Sequence, residues 1–422
     1  MSRFLHCADL HLDSPLRGLE RYEGAPAKDM REATRRSFAN IVDLALERDV
    51  DFVLIAGDVF DGDWLDFNTG LFFANQLRRM GDAEIRVFIV RGNHDALSKI
   101  SKTVTFPKNV HLFRANKPET VIDEAGGFAI HGQSFATGAI FDDLAAKYPT
   151  AKSSMLNIGL LHTALSGNSE HLPYAPTSIE TLVGKGYHYW ALGHVHARET
   201  VRQDPWIVFP GNTQGRHAKE LGPKGCMVVE GDADGIHSVE FVATDVARWE
   251  HLTIDATDAV SMEDLQESVQ RAVRTALLDA DDHLLALRLA IKGRTALHGK
   301  VVGSPESLRA EVCAWINEAS GGTAWLEKLK LSVSPPLDLA ALAARDDPFG
   351  SLLRRLDELA AQPEELAKLA APVLSDIDLK IPVELRDQED EMFKLLSPEF
   401  LAEAIGSARE RLLAGVSVED AQ

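Results

Sequence analysis

The sequence is poor in cysteine and poor in positive charge. Its 422 residues include three cysteines, Cys7, Cys226 and Cys313, far apart and without a CxxC pair. That argues against a disulfide framework or a thiolate zinc site, and suits a reduced, cytoplasmic protein. Lys and Arg number 44 against 64 Asp and Glu, a formal net charge of -20. A surface of that sign repels phosphate backbones, so bulk electrostatics do not make this a stand-alone nucleic-acid binder. No apolar run reaches the roughly 18 residues of a membrane-spanning helix. The opening MSRFLHCADLHLDSPL shows no signal-peptide pattern. A G-x-x-x-x-G-K-[ST] phosphate loop is also missing, so any ATP-driven step must come from elsewhere.

Apolar residues make up 45% of the chain, enough for a large core. At roughly 150 residues per domain, the length suggests two or three domains. Over residues 1–245 strand-like and helix-like segments alternate. "RFLHCADL", "VDFVLIAGDVF", "EIRVFIVRGNHD", "NIGLLHTAL", "YHYWALGHVH", "WIVFPGN" and "GCMVVEGD" are apolar runs, most of them closing on polar residues. Between them, "EATRRSFANIVDLALERD" places Phe38, Ile41, Val42 and Ala45 at helical spacing, and "NTGLFFANQLRR" reads the same way. This order predicts an α/β layered domain. Residues 246–334 read as a βαβαβ unit, a small cap domain, which "SPPLDL" then interrupts. Residues 335–422 read as an amphipathic helical tail. That tail holds 9 Lys and Arg against 19 Asp and Glu, so 9 - 19 = -10, half of the total excess. It is expected to be a solvated or partner-docking appendage rather than a DNA-contacting face.

Five strand ends carry the chemistry. They are Asp9-x-His11, Gly57-Asp58, Gly92-Asn93-His94-Asp95, His162, and Gly193-His194-x-His196. Any one alone is an ordinary turn or an ordinary histidine. In series, each closing an apolar strand, they offer carboxylates, an amide oxygen and imidazoles to one cleft. That mixture suits Mn²⁺, Fe²⁺ or Zn²⁺. It exceeds the roughly three protein ligands of a single open catalytic site. It suits two ions about 3.5–4 Å apart that share a carboxylate, for which Asp58 is the natural bridge. In an extended segment residues two apart face the same side, so His194 and His196 can enter one cleft without binding one ion.

The ordered series is similar to the calcineurin-like metallophosphoesterase superfamily over residues 1 to about 220. "HCADLHLDSPL", "GDVFD" and "FPGNTQGRHAKE" resemble, more narrowly, the SbcD-type DNA repair exonucleases and their YhaO-like branch. The resemblance implies a four-layer β-sandwich flanked by helices. It implies Asp9, His11, Asp58 and His196 around one ion, and Asp58, Asn93, His162 and His194 around the other, most often Mn²⁺. It makes His94 a proton donor to the leaving oxygen, or a brace for the scissile phosphate, rather than a ligand. Asp95 would orient that imidazole. The implied chemistry is attack by a hydroxide held between the ions on a phosphodiester of DNA. An SbcC-like coiled-coil ATPase is the implied partner. A homodimer through "SFANIVDLAL" and "NTGLFFANQL" is implied as well. Arg216 and His217, after the last ligand strand, are candidates to meet substrate phosphate. One departure is "DSP", Asp13 to Pro15, where the family has Gly after His-Leu; it alters the cleft edge.

Within the superfamily, protein phosphatases read Gly-Asp-x-x-Asp-Arg-Gly and Gly-Asn-His-Glu. The text here is "GDVFDGD" and "GNHDA", pointing away from them. A diesterase for small nucleotides stays open on motifs alone. A metal-binding scaffold of a repair complex is the other alternative.

Overall fold

The computed structural model describes residues 1–14, 27–61, 67–98, 104–165, 174–280, 283–335, 342–378, 395 and 397–416. Pro15 and most of the "SPPLDL" break lie outside the described residues. Two compact units result. The first is Met1–Glu250 with Leu277–Leu287 and Thr323–Glu327; the second is His251–Ala276, Arg288–Gly322 and Lys328–Gln422.

Two six-stranded sheets build the first unit. In spatial order one runs Gly235–Ala243, Gly225–Asp232, Ser2–Cys7, Phe52–Ala56, Arg86–Val90, Val110–Leu112. The last four of these strands are parallel. The other sheet runs Glu119–Asp123, Phe128–Gly132, Leu156–His162, Tyr189–Gly193, Trp206–Phe209, Glu199–Gln203, parallel through its four middle strands. Successive side chains on a strand point to opposite faces, and the central parallel strands are buried on both. Phe4, Phe52, Leu54 and Phe88 therefore meet Ile130, Ile158, Leu160 and Tyr189 between the sheets. Their neighbours Leu5, Val53, Ile55 and Ile89 face outward onto Phe38, Ile41 and Val42 of the helix Ala27–Glu47 and onto Phe73 and Leu77 of Phe67–Asp82. Leu161, Trp190, Leu192 and Ile207 pack outward on Leu182, Ala145 and Tyr148. The layers are thus helix, sheet, sheet, helix, an α/β sandwich of the expected class.

The second half of the chain runs strand Ala247–Asp255, helix Met262–Ala280, strand Leu284–Arg294, helices His298–Gly303 and Pro305–Ser320, and strand Ala324–Ser334. The three strands form one sheet. The short helix His298–Gly303 is an element that the βαβαβ reading did not contain. Within the second unit, helix Pro398–Val416 packs on His298–Gly303 and on helices Pro348–Ala360 and Pro363–Asp378. Leu353 and Leu401 are buried, and Arg409 pairs with Asp357 at 2.8 Å. The described part of the acidic tail folds onto its own unit. No helix among the described residues is long and apolar enough to cross a membrane.

Candidate metal centre

All five predicted strand ends lie at the carboxyl ends of parallel strands, where open α/β sheets place their ligands. Strand Ser2–Cys7 delivers Asp9 and His11; Phe52–Ala56 delivers Asp58; Arg86–Val90 delivers Asn93 and His94. From the other sheet come His162, which ends its strand, and His194 and His196, which follow Tyr189–Gly193. The first two loops are laced together, the Asp9 N–H donating to the Gly57 carbonyl and the His11 N–H to that of Asp58, both at 3.0 Å. Asp9, His11, Asp58 and His194 all have positive φ, at 51°, 40°, 52° and 104°. Non-glycine residues adopt such angles seldom, and they collect where function demands a particular side-chain direction. Space is equally tight. A Cβ on Gly57, itself at φ 93°, would lie 2.5 Å from His162 Nδ1, and one on Gly92 would lie 2.2 Å from Asp58 Oδ1.

Among the described residues, Asp9, His11 and His196 present ligand atoms within 4.8 Å of one another, as do Asp9, Asp58 and His162. In the second group His162 Nδ1 donates to the Ala56 carbonyl at 2.8 Å. Its Nε2 then faces Asn93 Oδ1 at 3.0 Å and Asp58 Oδ2 at 3.4 Å. His194 enters beside it, with ring centroids 5.2 Å apart and its N–H on Asp9 at 3.0 Å. Burial alone would push the His162 imidazole down. The charge and hydrogen bond of Asp58, then Asp9 and the Ala56 carbonyl, outweigh burial and raise it to about 9. Burial would likewise raise Asp58, but His162, His11 and His94 hold it well below the usual carboxylate range. A site without metal therefore keeps a proton where a cation would sit.

The first group is braced differently. His11 Nδ1 meets Asp61 Oδ1 at 2.5 Å, and His196 Nδ1 meets Glu220 Oε1 at 2.8 Å. With both Nδ1 atoms donating, the two Nε2 lone pairs face each other at 3.3 Å. That approach is repulsive unless a cation or proton lies between them. Carboxylates behind ligand imidazoles are the usual way of fixing the tautomer and raising ligand basicity. Burial and Arg216 lower the His11 imidazole, opposed by Asp61 and Asp58. Both braces stay ionised: burial would raise Asp61 and Glu220, but His11 and Arg216 on one, and His196 and Arg216 on the other, pull them well down. The donor set fits two divalent cations bound through imidazole, carboxylate and amide oxygen.

The remaining predicted residues have these places. His94 is 43% exposed, and its Nδ1 lies 3.6 Å from Asp61 Oδ1. Asp95, expected to orient His94, is buried and accepts instead from the N–H groups of Phe60 at 3.0 Å and Gly92 at 3.1 Å. It ties two ligand loops together. Burial and the Asp58 charge push it up to about 6, against those backbone bonds. Arg216, expected at substrate phosphate, is largely covered and lies 3.7 Å from Asp61 and 3.4 Å from Glu220. His217 is 55% exposed, 3.4 Å from Glu220. At the departure from the family pattern, Asp13 takes the Arg35 guanidinium and the Thr69 hydroxyl, fastening the cleft edge to both flanking helices. Sequence reasoning assigned no role to Asp61 or Glu220. Asp61 stands in the quoted "GDVFD" and Glu220 ends the quoted "FPGNTQGRHAKE", but 24 residues separate Glu220 from His196 and no spacing marks the two as partners.

Residues 2–198 match the calcineurin-like phosphoesterase family, and residues 249–334 match the middle domain of metallophosphoesterase YhaO. An uncharacterized metallophosphoesterase YhaO of Bacillus subtilis is 37% identical over 271 residues, covering 63% of this chain and 66% of that one. The DNA double-strand break repair protein Mre11 of Methanopyrus kandleri is 26% identical over 302 residues, 64% and 62% of the two chains. Mre11 of Aeropyrum pernix is 26% identical over 415 residues, 87% and 94%. The matched stretch thus spans just under two thirds of the first two relatives' own length. With Asp9, Asp58, Asn93 and the histidines at the strand ends of a two-sheet sandwich, residues 2–198 are a calcineurin-like phosphoesterase domain.

Proposed function

We propose that this chain is a metal-dependent phosphodiesterase acting on DNA, an SbcD-like nuclease subunit. Asp9, His11, Asp58 and His196 hold one divalent ion, and Asp58, Asn93, His162 and His194 hold the other. Mn²⁺ is the ion that the family resemblance implies, and these imidazole, carboxylate and amide donors are compatible with Fe²⁺ and Zn²⁺ as well. When bound, two such ions neutralise charge that develops on a phosphoester during displacement. The observation that carries the reading is the position of Asp58. One carboxylate oxygen lies 3.4 Å from His162 and 4.0 Å from His11, within reach of both halves. Its other oxygen accepts the His94 N–H at 3.0 Å, which fixes the carboxylate plane. Asp61 faces Nδ1 of His94, so Nε2 is the atom left to donate a proton to the leaving oxygen. DNA, an SbcC-like coiled-coil ATPase and a second copy of the chain are the partners this reading carries, in a reducing cytoplasm. Leu71, 61% exposed on the helix Phe67–Asp82, belongs to the face proposed for the homodimer.

The test is hydrolysis by the purified chain in Mn²⁺. End-labelled single- and double-stranded DNA is compared with bis-p-nitrophenyl phosphate and cyclic nucleotides, for wild type and His94→Ala. Expected are DNA cleavage and, in the variant, a loss of about 10²–10⁴-fold with metal content unchanged. Turnover of the small esters alone would overturn the DNA reading, and loss of metal in the variant would overturn the role of His94.

A further inference from the structure

An apolar step borders the centre that the reading above does not use. The Tyr174 ring lies 5.9 Å from that of His194, and the Phe141 ring lies 6.2 Å from Tyr174. Phe141 is 69% exposed and Leu97 59%. Leu97 ends the short helix Asn93–Leu97, three residues after His94, and touches Gly138, where an added Cβ would come within 2.7 Å of it. The patch therefore flanks the centre on its His94 side and on its His194 side.

It is also fixed in place. The Ala175 N–H donates to the Ile140 carbonyl at 2.6 Å and the Ala164 N–H to that of Tyr174 at 2.9 Å. Thr163 Oγ1 donates to the Ala175 carbonyl at 2.6 Å, and Thr177 Oγ1 to Asp143 at 3.1 Å. A phenylalanine exposed to this degree contributes little to folding, yet the loop that presents it is bonded from both sides. The charge balance supplies the other half of the argument. The chain carries a net charge of -20, and Arg216 at the centre is engaged by Asp61 and Glu220. A strand gains little here through its phosphates. Stacking on aromatic rings needs no positive charge and serves any base.

We propose that Phe141 and Tyr174, flanked by Leu97, form a stacking step that holds an unpaired nucleobase of the strand whose phosphodiester lies at the metal centre. This rests on the phosphodiesterase reading and adds to it a preference for unpaired over paired nucleotides.

The experiment compares an oligothymidylate strand with the same strand carrying an abasic run, both in Mn²⁺, for wild type, Phe141→Ala and Phe141→Leu. A strand containing 2-aminopurine reports binding separately, with EDTA present. The expected outcome is a roughly tenfold lower kcat/KM for Phe141→Ala on the natural strand, within the range a stacked base contributes. Its rate on the abasic strand should equal wild type, which also shows that fold and centre are intact. Phe141→Leu should fall between, and 2-aminopurine quenching seen with wild type should vanish in Phe141→Ala. Equal rates of wild type and Phe141→Ala on the natural strand, or equal losses on both strands, overturn the stacking step and leave the phosphodiesterase reading standing. If wild type cleaves neither strand, the nucleic-acid reading falls and the stacking step with it.

Discussion

The two halves of the candidate centre are held by different kinds of group. His162, itself fully buried, is oriented by a main-chain carbonyl, that of Ala56. His11 and His196 are oriented by the side chains of Asp61 and Glu220, and both of these carboxylates share Arg216. The first half is set by the sheet itself and cannot be altered by changing a side chain behind the ligand. The second is set by groups that substitution can remove and that neighbouring charge can tune. The protonation of the halves differs in the same way: without metal, His162 is raised and His11 lowered.

The largest effect is expected where the halves meet. Asp58→Ala should abolish binding of both ions, read as metal content per chain. Its loss of activity should exceed the roughly 10²–10³-fold typical of deleting one electrostatic contact. Full two-ion content in that variant would end the idea of a shared carboxylate. A smaller, one-sided effect is expected from Glu220→Gln and Asp61→Asn. Each should weaken one ion by about 10–100-fold, the usual cost of losing a group behind a ligand, and leave the other untouched. Isothermal titration that shows both ions weakened equally would erase the distinction between the halves.

The smallest effect is in protons. In the metal-free fold His162 keeps its proton up to about pH 9, against about 6.5 when unfolded. That stabilisation is complete below about pH 6.5 and is lost as pH rises through about 9. A cation at His162 must displace the proton, so affinity there should climb with pH up to about 9, by at most about tenfold per unit. The His11 imidazole, held down by burial and Arg216, should release none near pH 7. Calorimetry of Glu220→Gln in buffers of different ionisation enthalpy isolates the His162 half and should find about one proton released. Release from neither half, or from both, would break the comparison.

The layered fold and the strand ends that converge on the candidate centre were legible because both rest on local pattern. "VDFVLIAGDVF" announces a buried strand and the residue that ends it, and helix Ala27–Glu47 buries the Phe38, Ile41, Val42 and Ala45 face that its spacing marks. The braces were not legible, since Glu220 reaches His196 only through the path of the chain after strand Trp206–Phe209. Asp95 shows the opposite limit. Its neighbour in sequence is His94, but its hydrogen bonds go to Phe60 and Gly92, because a short buried carboxylate satisfies the nearest unpaired N–H groups first. Arg216 was visible as a cation near the site; Glu220 stands only four residues on, but Asp61 reaches it across more than 150 residues of sequence.

The left-handed backbone at Asp9, His11 and Asp58 bears on how this site can change over time. Each such residue costs about 1–2 kcal/mol relative to a right-handed conformation, a cost glycine escapes. Drift toward glycine at these positions would relieve that cost only by removing the side chains that face the cleft, with the bonds that Asp9 and Asp58 accept from the His194 and His94 N–H groups, so backbone strain and chemistry are tied to the same three residues. Relatives that have abandoned catalysis should show that relaxation first in these loops, before any loss from the sheets beneath them.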